Sequence, residues 1–119
     1  MTDKELLEMA ARAAGLRLEW DGHPDAWQPM YYEGKTYSSW NPLADDGAAL
    51  RLAVDVGLFI EPFTNGVFAQ EKMGMVTVRA FLNDSLDSVD IDEPIEAGDP
   101  YVATRRAIVR AAAEVGRSL

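Results

Sequence analysis

The sequence predicts a single α+β domain with a mostly antiparallel sheet and about three helices. Three observations lead there. Apolar residues recur at helical spacing in three separate segments. Between those segments lie short stretches that alternate apolar and polar residues, joined by Gly, Pro, Asn and Asp. And 119 residues, 48% of them hydrophobic, suffice for one buried core. The order read along the chain is α-β-β-β-α-β-β-β-α, and the simplest packing covers the sheet with helices on both faces.

Thr2 and Glu5 form the spacing of a capping box, which opens the first helix. Leu6, Leu7, Ala10, Ala13 and Ala14 then recur at helical spacing, with Lys4, Glu8 and Arg12 facing water. Gly15 suits the left-handed residue that ends a helix. Residues 16–20, LRLEW, alternate as a half-buried strand does. Residues 21–29 are rich in turn formers and read as a loop, followed by a hairpin over MYYEGKTYSSW that turns near Glu33-Gly34-Lys35. Asn41-Pro42 stops the strand.

The second helix begins at Asp45-Asp46 and ends at Gly57, with Leu50, Ala53, Val54 and Leu43 as its expected apolar face. LFIEPF and VFAQE flank Thr64-Asn65-Gly66, a strong hairpin signal. MVTVRAFL, 75–82, is the clearest strand: Val76, Val78, Ala80 and Leu82 share one face, and Met75, Thr77, Arg79 and Phe81 share a less covered one. Residues 83–99 carry seven acids and no base, a loop with a short edge strand at Ser88 to Ile91. Asp99-Pro100 opens the last helix, whose expected buried stripe is Tyr101, Thr104, Ile108, Ala111 and Val115. One join occurs twice: ARAAGLRLE and AVDVGLFIE share the form A-x-x-x-G-L-x-apolar-E.

Composition limits the chemistry. With no cysteine there are no disulfides, thiolate nucleophiles, zinc–thiolate sites or iron–sulfur clusters. The acidic N-terminus lacks a signal peptide's apolar stretch, and no run is long enough for a bilayer, so a cytoplasmic location with no membrane partner is expected. A net charge of −9, from 11 basic and 20 acidic residues, argues against direct binding of nucleic acid and favours basic protein surfaces or cations.

Five constellations are weighed for function. Asp45 and Asp46 could act as paired carboxylates, but neighbours on a helix diverge by about 100° and instead suit the helix start. His23, the sole histidine, lies in a DGHPD turn with no G-x-S-x-G serine in the chain. The acids of 84–99 do not follow the EF-hand pattern; Asp90 and Asp92 would share one strand face, a little under about 7 Å apart. Trp20, Trp27, Tyr31, Tyr32, Tyr37 and Trp40 crowd a short stretch and could form core or anchor a partner, with Trp27 the exposed candidate. Arg105, Arg106 and Arg110 are expected to make salt bridges. No metal, cofactor or catalytic residue is assigned.

Two segments, WNPLADDGAALRLAVDVG (40–57) and DPYVATRRAIVRAAAEVGRS (99–118), resemble the small phage and prophage proteins grouped as the phage ABA sandwich domain, and TDKELLEMAARAAG is also similar. The resemblance covers roughly half the chain. It implies a three-layer α-β-α sandwich carried by phages or prophages and brings no agreed activity and no catalytic residues. The resulting expectation is a non-enzymatic phage or prophage accessory protein in the bacterial cytoplasm, binding a host or phage protein through Trp27, Tyr32, Trp40, Asp90 and Asp92. Exposed Met75 and Phe81 leave room for a homodimer. The alternatives are a nucleic-acid mimic that inhibits a host defence nuclease, and a small hydrolase or nucleotide-binding enzyme built on Asp45, Asp46 or His23.

Overall fold

Each helix begins where the sequence supplies an acceptor for its unpaired amides. In the computed structural model, which describes residues 2–21, 28–33, 36–63, 74–82, 87–96 and 99–119, these are Asp3–Ala13 (α1), Asp46–Val56 (α2) and Pro100–Arg117 (α3). Thr2 Oγ1 accepts from the Glu5 amide at 3.2 Å, and Asp45 Oδ1 from the Gly47 amide at 3.0 Å. Asp99 Oδ1 accepts from Tyr101 and Val102 at 3.0 and 3.2 Å, with Pro100 in the first turn, where a missing amide costs no hydrogen bond.

The repeated join has a common geometry. Gly15 and Gly57 take φ of 71° and 80°, a region that strongly favours glycine. The next residue folds back in both cases: the Leu16 amide donates to Ala11 O and the Leu58 amide to Ala53 O, each at 2.9 Å. These are the six-to-one bonds of a Schellman motif, and both leucines pack against the core as that motif favours.

The strands form two antiparallel sheets of three. Leu18–Asp21 (β1), Gln28–Glu33 (β2) and Thr36–Ser39 (β3) are ordered β1-β2-β3, and the β2–β3 register runs to the Glu33–Thr36 pair; the expected turn residues Gly34 and Lys35 lie outside the described residues. Phe59–Phe63 (β4), Met75–Phe81 (β5) and Ser88–Pro94 (β6) are ordered β4-β5-β6. The expected Asn-Gly hairpin and its second strand, 67–71, lie outside the described residues; β4 pairs with β5, placing Ile60 opposite Val78. The edge strand extends beyond Ile91 to Pro94, where Asp92 and Glu93 find partners on β5 and α3.

Against the β4–β5–β6 sheet lies α3, and α1 and α2 pack onto α3 from behind. The last helix is therefore covered on two sides. Ala103, Ala107, Ile108, Val109, Ala111, Ala112, Ala113 and Gly116 are all buried, a broader arc than the expected stripe, whereas Tyr101 is exposed. A single i, i+3, i+4 stripe presumes one neighbour; α3 has several. On α2 the buried positions are Ala49, Leu52 and Ala53, while Leu50 and Val54 are 61% and 71% exposed. Ala49, Leu52, Ala53 and the half-buried Val56 form their own i, i+3, i+4, i+7 set, so the helix is rotated by roughly one residue from the expected face.

The α+β class and the three helices agree with the sequence reading. The layers run sheet, then α3, then α1 and α2, and among the described residues no helix covers the sheet's reverse face. Val76, Val78, Ala80 and Ile91 point into the core; Phe59, Arg79, Phe81 and Asp90 point away from it. No described helix is long and apolar enough to cross a membrane.

Gly116 marks the tightest contact between helices. A Cβ built there would lie 1.9 Å from the backbone oxygen of Met9, which cannot swing aside as a side chain can. We expect Gly116→Ala to lower unfolding stability by about 2 kcal/mol through overpacking. Gly57→Ala, with open space around it but a left-handed backbone, should cost about 1 kcal/mol. Urea titration of both variants checks the ranking; a smaller loss at Gly116 would refute the close approach.

Candidate functional site: the uncovered sheet face

Most carboxylates that might have done chemistry serve the chain itself. Asp45 caps α2, and Asp46 turns away to meet Arg105 at 2.6 Å, while Arg105 Nε donates to Leu43 O at 2.9 Å. The adjacent acids thus diverge, as their helical spacing requires. Gly47 is not a point of close approach by Trp40: an added Cβ would meet only Asp45 Oδ1, at 3.5 Å. His23 lies outside the described residues, and among those described no three His, Asp or Glu side chains gather as metal ligands would.

The acid-rich segment divides. Asp99 caps α3. Glu93, on the core side of β6, takes Arg110 at 2.6 Å and Arg106 at 3.6 Å, and Arg106 also reaches Asp3 at 3.1 Å. Arg105, Arg106 and Arg110 are all paired, as expected. Asp90 and Asp92 do share one strand face, the one turned away from the helices. Asp90 binds Arg79 with both oxygens, at 2.8 and 3.2 Å, and Asp92 Oδ1 accepts from the Thr77 hydroxyl at 2.6 Å. No single negative stripe runs along the described acids of 84–99.

Of the expected aromatic anchors, Trp40 is 6% exposed and belongs to the core, so it is closed to a partner. Trp27 lies outside the described residues, and Tyr32 is placed through its backbone in β2, opposite Tyr37.

The face that remains open is the reverse of β4–β5–β6. Its rungs follow from the register: Phe59 beside Arg79 and Asp90, Glu61 beside Thr77 and Asp92, and Phe81 beside Ser88. Phe59 and Phe81 are 57% and 43% exposed and meet edge to face, ring centroids 5.6 Å apart and planes at 78°. Between the acids sits Arg79, its pKa raised first by the hydrogen bond to Asp90, then by that carboxylate's charge and by Glu61. Asp90 is engaged by Arg79, while Glu61 and Asp92 on the next rung add two carboxylates to the described residues of this face. Thr77 is buried despite lying on this side, its hydroxyl spent on Asp92. Sequence reasoning located Phe81 here but missed Phe59; the alternation Leu58, Phe59, Ile60, Glu61 would have placed it opposite Ile60 had β4 been read as paired to β5.

Comparison of the chain with protein-family models, with curated proteins and with solved structures finds no match.

The assigned roles predict a ranking of stability losses. Asp45→Ala should cost about 1 kcal/mol through the lost cap. Asp46→Ala removes a 73% exposed carboxylate, and the more covered Arg105 keeps its bond to Leu43 O, so the loss should be less than about 0.5 kcal/mol. Glu93→Gln leaves two partly covered arginines without their shared carboxylate and should cost about 1–2 kcal/mol, reduced from the fully buried case by solvent screening. Chemical denaturation of the three variants tests the order; a dominant loss at Asp46 would contradict it.

Proposed function

We propose that this chain is a small non-enzymatic accessory protein of a phage or prophage, acting in the bacterial cytoplasm, that binds a host or phage protein through the uncovered face of β4–β5–β6. The observation that carries the reading is the exposed edge-to-face pair Phe59–Phe81 on a sheet face with no helix over it among the described residues. Aromatic side chains with large accessible area and few rotamers are the commonest anchors of protein interfaces. The binding reading is supported over a catalytic one by the engagement of Asp45 and Asp46 in a cap and an ion pair. It is supported over nucleic-acid mimicry by the division of the 84–99 acids between both faces of β6 and the α3 cap. The phage origin rests on the resemblance of the helical segments.

The test is capture from a bacterial lysate on immobilised protein at several salt concentrations. We expect specific bands with the wild-type chain that disappear with Phe59→Ser/Phe81→Ser and persist with Leu50→Ser/Val54→Ser, which alters exposed apolar residues on α2. Equal capture by the wild type and the sheet-face variant, or none by the wild type, would overturn the reading. Circular dichroism of each variant establishes that it is folded.

A further inference from the structure

We infer that the face of β4–β5–β6 with no described helix over it docks a basic amphipathic helix of a partner protein, which lies over Phe59 and Phe81 and sets Lys or Arg side chains against Glu61 and Asp92. This rests on the protein-binding reading above and adds the chemistry of the partner.

The width of the sheet selects the element. Three strands spaced by about 4.8 Å span roughly 10 Å from first to last, the diameter of one α-helix with its side chains. The other face of the same three strands is already covered in this way, by α3. Strand addition at the sheet's edges is the poorer alternative. The β4 edge carries Pro62, which has no amide to donate, and the β6 edge carries Asp90, Asp92, Glu93 and Pro94. Charged residues and proline are what proteins place on edges to prevent pairing.

Charge selects the sign. Arg79 is held by both oxygens of Asp90, so its positive charge is already answered within the sheet. Glu61 and Asp92, one rung further on, form an acidic end beside the phenylalanine pair, and Asp92 accepts from the neutral Thr77 hydroxyl, which leaves its charge in place. A helix with an apolar stripe and flanking Lys or Arg matches both halves. A second copy of this chain matches them less well. Copies related by a two-fold axis on this face would oppose their own acids, and each brings a net charge of −9.

Fluorescence anisotropy with three labelled synthetic peptides of equal length tests the inference: a helical leucine–lysine peptide with apolar residues at i, i+3, i+4 and i+7, its leucine–glutamate counterpart, and a lysine–serine peptide. We expect the leucine–lysine peptide to bind and the leucine–glutamate peptide not to. The lysine–serine peptide should bind about tenfold or more weakly, since removal of one well-buried apolar anchor is worth at least that factor. Phe59→Ser/Phe81→Ser and Glu61→Lys should each weaken leucine–lysine binding about tenfold, the Glu61 effect shrinking in high salt and the phenylalanine effect persisting. Asp55→Lys makes the same charge change on exposed α2 and should leave affinity within about twofold. Equal losses for Asp55→Lys and Glu61→Lys would reduce the binding to net charge and overturn the inference, as would failure of the leucine–lysine peptide to bind or equal binding of the leucine–glutamate peptide. A wild-type dimer in sedimentation that Phe59→Ser/Phe81→Ser dissociates would also overturn it. If lysate capture needs Phe59 and Phe81 but the basic peptide fails, the protein-binding reading stands and the basic helix falls; if capture is indifferent to both phenylalanines, both fall.

Discussion

The close approach of α1 to α3 is the constraint on which the rest of the structure depends. Backbone meets backbone at Gly116 and Met9, and Ala10, Ala11, Ala111, Ala112 and Ala113 are all buried in the same core. Small residues let helices approach closely and gain dispersion contacts over a short distance. With α1 held there, α3 can face the sheet on its other side and still leave room for α2. A bulky residue at position 116 would push α1 away and open a gap in a core whose largest fully buried described side chains are leucines, valines and Pro42. The two helices run in the same direction: Arg106 meets Asp3 at their starts, and Arg12 donates to Leu119 O at their ends.

The charged residues extend this arrangement. Four arginines of α3 hold acids or are held by them: Arg105 with Asp46, Arg106 with Asp3 and Glu93, Arg110 with Glu93, and Arg117 with Glu114. Three of the four tie α3 to another element, so the central helix is fastened by side chains as well as by packing. Each exposed pair contributes little alone. Their joint effect is to fix the register of α1, α2 and β6 on α3. On the sheet's reverse side, Arg79 pairs with Asp90, and Glu61 and Asp92 lie one rung further on.

A small domain with its helices gathered on one side of a narrow sheet has an unequal surface. The helical side is covered by its own layers and its own ion pairs. The reverse side combines an aromatic pair with unbalanced carboxylates, which is an unfavourable combination to leave in water and a favourable one to present to a basic, partly apolar partner. Structure and function meet at β5: Val76, Val78 and Ala80 build the core, while Arg79 and Phe81, alternating with them, build the candidate site.

Local chemistry was legible in the sequence because it depends on neighbours in the chain. Thr2, Asp45 and Asp99 as caps, Gly15 and Gly57 as left-handed stops, and the alternation of 75–82 each follow from residues within about five positions. The shared strand face of Asp90 and Asp92 and the pairing of the α3 arginines were legible too, from strand periodicity and from the surplus of acids. What surrounds each element was decided only by tertiary packing. Whether Leu50 or Leu52 turns inward depends on where α3 lies, and the amphipathic pattern of α2 permits either. Tyr101 fits a helical stripe by spacing but is exposed. Trp40 suited core or partner by composition, and the structure buries it in the core. The pairing of β4 with β5, and so the meeting of Phe59 with Phe81, joins residues 22 positions apart. Contacts of that range leave no periodic trace in either segment, because they are set by which surfaces meet.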